Sequence, residues 1–360
     1  MQIKPKRTMK TLLTLTTALL FTAGSAFAQS NDATVDQIGN DNESTIGQTG
    51  TLNEAYIQQG GFGGGAVQSN NAEATIEQAG SMNDATINQR QGFSGGTAES
   101  IHSIDQDGTS NVATLTTFNG GNFGIITQEG DENEARGRQS VGSGNMIDAL
   151  QVGSLNWIDV NQLSSTNGSV TITQNGSENV AAVNQTGSDN TVSIEQGVFG
   201  GAESSIAEFT QLGDGNYFET KQVRSVGNSV TGTQTGDDNY YRASLRGSDN
   251  TVTMDMEGDA NRGSWSIGSL GWPHQPAGNS ISIDVDGSDN YSTGSIAGDY
   301  NTVTVVQEGL GNRLGTSWYT TDGVSISGDL NTASVMQTSD FNTASVSIAG
   351  NSNTATITQN

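Results

Sequence analysis

Two histidines, His102 and His274, stand beside no cysteine and 38 acidic residues in a chain of 360. A structural zinc site needs about four nitrogen or sulfur ligands, and a nucleophilic triad needs a base the chain barely has. His102 falls on an inward position of the pattern below and reads as a core residue rather than a catalyst. The acids invite another chemistry, because a pair of carboxylates suffices for glycoside hydrolysis and β-helix enzymes act on acidic polysaccharides. Yet Asp131-Glu132, Asp237-Asp238 and Asp289 recur between apolar stretches as a regularly spaced, solvated decoration. The chain is therefore expected not to be an enzyme and to need no cofactor. The calcium-binding nonapeptide G-G-x-G-x-D does not recur, and the Asp-rich turns leave weak Ca²⁺ binding open. Outward pairs such as Thr302 with Thr304 and Thr354 with Thr356 hint at the threonine ladder of ice-binding solenoids. That reading is set aside because Arg313 breaks the ladder and most units lack it.

What positions these residues is an eleven-residue period. Asn31, Asn42 and Asn53 are eleven apart, and the spacing returns at Asn179 and Asn190, from Asn228 to Asn261, and from Asn279 to Asn312. From each such Asn the unit reads N-x-A-x-I-x-Q-x-G-x-x. It opens with Asn31, Ala33, Val35 and Gln37 and closes with Asn353, Ala355, Ile357 and Gln359. There are 27 units, of which 23 begin with Asn, the exceptions being Ala72, Ser100, Gly168 and Ser205. The recurring residues fall at positions 1, 3, 5 and 7, a period of two that a strand accommodates and one helix face does not. Odd positions face inward, and Gly at position 9 opens a four-residue turn.

One such strand buries too little apolar surface to offset about 1–2 kcal/mol of backbone entropy per residue, so it must stack on copies of itself. The expected fold is an all-β solenoid of strand-turn-strand coils, about 22 residues each, with two facing parallel sheets and a narrow Asn/Ala/Ile/Gln core. At about 4.8 Å per coil the rod is roughly 60–65 Å long. Inward Gln and Asn line up along the axis, and ladders of amides satisfy groups that would each cost about 1–3 kcal/mol if buried alone.

Residues 1–28 read as a secretory signal peptide, with a basic start, a mixed apolar run from Thr11 to Phe21 and Ala26-Phe27-Ala28 before the cut. Removing its Lys4, Lys6, Arg7 and Lys10 takes the net charge from −25 to nine basic against 38 acidic residues, or −29. Such a surface repels nucleic acid and anionic lipid, and no later apolar stretch suits membrane insertion. Residues 29–360 read as one continuous solenoid. Position 7 is Gln throughout 29–238 except at Thr117, whereas in 239–360 Leu245, Met256, Ile267, Val285, Ile296, Trp318 and Ile348 replace it. Surplus residues follow the units starting at 53, 83, 133, 156, 190, 216, 261 and 312 and are assigned to turns. The first four follow odd units and the last four even ones, placing them on one edge of the rod and then on the other.

Asn31-x5-Gln37-x-Gly39-x2-Asn42-x-Ser44-x3-Gln48 and Asn179-x5-Gln185-x-Gly187-x2-Asn190-x-Val192-x3-Gln196 resemble the curlin repeat, over nearly all of residues 31–360. The resemblance implies a secreted subunit of extracellular functional amyloid that stacks end to end into biofilm fibres, with a nucleator subunit and an outer-membrane secretion pore as partners. The chain departs from the family in three ways. Asn replaces the family's first-position Ser, the rod is much longer, and only Gln29 and Ser30 lie where the family carries a Gly-rich segment ahead of its first repeat. Asn31, Ala33, Val35 and Gln37 match Asn353, Ala355, Ile357 and Gln359 position for position, which marks these strands as the expected joint between subunits. The alternative is a monomeric stalk or adhesin that offers its insertion loops, with Trp272-Pro273-His274 and Trp318-Tyr319, to a glycan or surface.

Overall fold

The computed structural model describes residues 30–60, 69–90, 99–198, 201–268, 275–315 and 323–360. Residues 1–28, read above as a signal peptide, and Trp272, Pro273, His274, Trp318 and Tyr319 lie outside the described residues. All regular structure within them is β-strand, arranged as a parallel β-solenoid.

The chain alternates between two long parallel sheets. One takes the odd-numbered units, fourteen strands from Asp32–Gln37 to Thr354–Gln359. The other takes the even-numbered units from Glu43–Thr51 to Thr343–Ala344; three of its thirteen rungs are split, which makes sixteen strands. The 27 units of the sequence are thus the 27 rungs of the solenoid. Register is kept unit for unit: Ala55 lies on Ala85, Ile57 on Ile87 and Gln59 on Gln89, and in the other sheet Ile104 lies on Ile126 and Gln106 on Gln128. Positions 3 and 5 fill a dry core in which Ile57, Ile76, Ile87, Val160 and Val183 have no exposed surface.

The turns explain the glycines. At position 9 a Cβ on Gly153 would sit within bonding distance of the Gly176 carbonyl of the next coil, and its φ is 119°. Neither problem can be relieved by a side-chain movement. A second left-handed residue follows at position 11, and here it is seldom Gly: Leu52 (φ 58°), Glu132 (56°), Asp189 (56°) and Tyr300 (55°) all adopt it. Asn and Asp enter this region most easily, so the apolar examples are held there by the rungs on either side.

Two expectations need correction. The surplus after Asn312 does not sit in a turn but interrupts its strand, which runs as Arg313–Leu314 and resumes as Val324–Ser327. Ser292 pairs with Leu314, Gly294 with Val324 and Ile296 with Ile326, so Ile326, and not Trp318, holds position 7. Single extra residues form bulges, as between Gln162 and Ser165 and between Val223 and Ser225. Arg313 lies in the even sheet, whereas Thr302, Thr304, Thr354 and Thr356 lie in the odd sheet, so it does not interrupt their ranks.

Candidate functional site: the inward amide rows

Position 1 shows what Asn does that Ser cannot. The Asn111 Oδ1 accepts the backbone N–H of Asn133 in the next coil (3.0 Å), and the Asn133 Nδ2 donates both back to Asn111 Oδ1 (3.1 Å) and onward to the Gly153 carbonyl (2.9 Å). One side chain thereby ties a strand start to the strand starts of the coils below and above and to the turn above. Where Ser100 replaces Asn, its Oγ receives the Asn122 N–H at 3.4 Å.

Position 7 forms two rows along the axis. In the even sheet Gln48, Gln78, Gln106, Gln128, Gln151, Gln174 and Gln196 each donate Nε2–H to the Oε1 of the next Gln at 2.7–3.0 Å without a break, the row ending on the Gln222 acceptor. Each spare N–H crosses the core to a position-2 carbonyl of the facing sheet, as from Gln151 to Glu134 (3.1 Å). The buried amides are therefore satisfied in a low-dielectric core, where an orphan would cost about 1–3 kcal/mol.

The odd row is interrupted twice. At Thr117 the gap is bridged by His102 from the opposite sheet. Gln89 Nε2 donates to His102 Nδ1 (2.7 Å), which fixes the proton on Nε2; that nitrogen donates to Thr117 Oγ1 (2.6 Å), whose hydroxyl donates to Gln139 Oε1 (3.3 Å). The donor direction of the row passes through the substitution unchanged. Burial lowers the His102 pKa to about 4, against a smaller opposing effect of Gln139. The second gap, at Met256 and Val285, is dry. Beyond it Gln307 donates to Gln337 (2.9 Å), but its own Oε1 is buried without a donor because Val285 offers none.

Gln185, Asn190 and Gln196 lie deep in this system. Gln185 donates to Gln211 (2.9 Å) and Gln196 to Gln222 (3.0 Å), while Asn190 Nδ2 donates to Gly213 O (2.7 Å). Asn42 Oδ1 accepts the Ala72 N–H (3.1 Å), and Gln48 donates to Gln78 (2.8 Å). Asn31, Ala33, Val35 and Gln37 occupy the first odd-sheet strand: Asn31 accepts the Asn53 N–H (3.0 Å), Gln37 donates to Gln59 (2.6 Å), and Ala33 and Val35 are exposed. Asn353, Ala355, Ile357 and Gln359 occupy the last strand of the same sheet. There Gln359 accepts from Gln337 (2.9 Å), Asn353 donates to Asn331 Oδ1 (3.0 Å), and Ala355 and Ile357 are half-buried over Ala333 and Val335. The two sets are thus at opposite ends of one sheet.

A second recognition rule was not read from the sequence. Five oversized inward residues are followed one coil later, at the same position, by Gly: His102 by Gly124, Leu115 by Gly137, Phe209 by Gly232, Tyr241 by Gly263 and Trp265 by Gly294, whereas Phe218 is followed by Tyr241 and stacks on it. A Cβ on Gly137 would lie 2.7 Å from Leu115 Cδ2, and one on Gly294 would collide with the Trp265 ring. The signal was present as a large residue and a Gly at equal positions two units apart.

These rows define a structural solenoid whose coils recognise one another through stacked amides. Four segments, residues 28–61, 121–153, 166–197 and 328–360, match the family model described as the curlin associated repeat. The chain carries curlin repeats, which support its place in the curlin-repeat family, and the rungs between those segments continue the same register. No curated protein matches the chain. The repeats and the all-β solenoid point to a structural protein. Among the described residues no helix is long and apolar enough to cross a membrane.

Proposed function

We propose that the protein is exported by its signal peptide and assembles end to end into extracellular amyloid-like fibres of a biofilm matrix or cell surface, with a nucleator and an outer-membrane pore as partners. The observation that carries this reading is the uniform direction of the Gln rows. Every Gln in these rows offers its donor toward higher residue numbers and its acceptor toward lower ones, and the odd row carries Gln at both ends, Gln37 and Gln359, so a coil of a second copy continues that row as the next coil of the same copy does. The outer strands Asp32–Gln37 and Thr354–Gln359 expose that chemistry, and uncovered strand edges pair.

Electron microscopy and fibre diffraction of the mature chain test the reading. Filaments with a cross-β reflection near about 4.7–4.8 Å are expected, and a rod that stays monodisperse for days would instead favour a stalk or adhesin. The joint itself is tested at Thr356. The N–H of Thr332, at position 2, bonds to the Asn353 carbonyl of the next coil, and that of Thr338, at position 8, bonds to Gln359. Even positions therefore point their N–H toward higher coils, and the Thr356 N–H faces the open edge. Thr356→Pro removes a bond to an incoming strand and none within the subunit, so seeded elongation should stop while the monomer fold survives. Ser334→Pro, one rung inward, should damage the fold instead. Because about 29 negative charges repel an incoming copy, the lag should shorten from low salt to about 0.1 M, where the Debye length is about 10 Å.

A further inference from the structure

We propose that the outer face of the odd sheet, from Ser229–Thr235 to Thr354–Gln359, binds ice. Six consecutive strands of this face carry Ser or Thr at both position 2 and position 4, beginning with Ser229 and Thr231, passing through Thr302 and Thr304, and ending with Thr354 and Thr356. Pairing through all six is unit for unit with no bulge, so each rank is an unbroken row of hydroxyls. These side chains stand exposed or half-exposed.

The composition of the ranks is local. In earlier strands of the same sheet these positions hold Glu54, Asp84, Trp157, Asp159, Ile206 and Glu208. In the same coils of the other sheet they hold Tyr240, Arg242, Arg262 and Arg313. A chain with 38 acidic residues thus keeps two adjacent ranks free of charge over six strands, with carboxylates such as Asp255 and Asp284 beginning one rank away.

Charge and spacing together select the occupant. Neighbouring strands are about 4.8 Å apart and alternate residues about 6.7 Å apart, which makes a rectangular net of hydroxyl groups. The oxygen rows of hexagonal ice repeat at closely similar distances in two perpendicular directions, and ice is an uncharged solid that presents hydrogen-bond donors and acceptors. A charged side chain would hold its own hydration shell against that lattice; a Thr hydroxyl can take a lattice site while its methyl group fills the gap beside it. Most of the ranks are Thr, whose branched side chain is stiff at χ1, so holding the net in place requires little loss of rotamer freedom.

The test is inhibition of ice recrystallisation by freshly purified, unassembled full chain, with Thr304→Tyr and Thr253→Tyr as disrupting variants and Thr171→Tyr, at position 4 of the other sheet, as the control. Circular dichroism confirms the fold of each. The proposal expects activity in the wild type and the control, and a requirement for about tenfold more protein in the two face variants, the change a lost contact of roughly 1.4 kcal/mol produces. It is overturned if the wild type leaves ice growth unchanged, if the face variants match the wild type, or if the control loses as much as they do. It is equally overturned if the face variants abolish only lateral association between rods, because the occupant is then a second copy. None of these outcomes depends on fibre formation.

Discussion

The rungs from Glu43 to Gln234 and those from Tyr240 to Ile296 solve one problem in two ways. In the first stretch successive coils recognise each other mainly by directional hydrogen bonds, and every Gln in a row presents the same donor and acceptor to its neighbour. In the second, where Leu245, Met256, Ile267, Val285 and Ile296 take position 7, recognition passes to shape, with Tyr241 over Gly263 and Trp265 over Gly294. The amide rows are strong but repetitive, so sliding by a whole coil restores every bond. A ring over a missing side chain has one matching place only. The contrast shows how a repeat protein can combine a uniform stacking surface with an absolute register.

The largest effect is expected where shape takes over from the Gln rows. Gly294→Val places a side chain into the Trp265 ring and should lower stability by about 4 kcal/mol or more, read as a collapse of the thermal midpoint. Adding Trp265→Leu should recover most of that loss, a coupling that marks the pair as one unit. If Gly294→Val alone is tolerated, the second stretch does not depend on shape.

The rung at His102 combines both devices, since its ring lies over Gly124 and completes the odd amide row. Its imidazole titrates near 6.5 when unfolded and is held near 4 in the core. Between those values the unfolded chain binds a proton that the folded chain does not, so stability should fall as pH drops through that window and level off below it. The full difference is about 3 kcal/mol. His102→Gln, which keeps a hydrogen-bonding side chain without the titration, should lose that portion of the pH dependence in denaturant titrations between pH 7 and 4. An identical slope would remove His102 from the account.

Within the amide rows, position along the row should matter. Gln151→Leu leaves the Gln128 donor and the Gln174 acceptor without partners and should cost about 2–3 kcal/mol. Gln307→Leu sits at a row start where the acceptor is already unpaired, and should cost about 1 kcal/mol. Equal losses at the two sites would mean that the rows act as independent bonds rather than as connected lines.

The period of two and the eleven-residue spacing made most of this architecture legible, because in-and-out alternation is a property of every strand, and residue types repeated at each Asn and Gln. What stayed hidden depended on contacts between units. His102 looked like an ordinary core residue because its partners Gln89, Thr117 and Gln139 belong to three other rungs. Trp318 fell at position 7 by counting, because nothing local distinguishes a strand that pauses after Leu314 from one that ends. Arg313 appeared to break the threonine ranks because alternation tells inside from outside but not which of two sheets carries an outward residue.

The two kinds of inward amide also point opposite ways. Gln Nε2–H donates toward higher coils, so each Gln carbonyl points toward lower ones; Asn Oδ1 receives from the coil above, so its carbonyl points upward. Side-chain amide dipoles laid head to tail would otherwise add along the rod, as peptide dipoles do in a helix to give about half a charge at each end. Here antiparallel lines cancel along most of the length, so adding coils builds up little axial field. Between Gln234 and Gln307 the Gln line is missing while Asn250, Asn279 and Asn301 remain bonded in sequence. The even sheet likewise has no Gln at position 7 beyond Gln222, so over these coils the Asn dipoles stand uncompensated, positive toward Asn239 and negative toward Asn301.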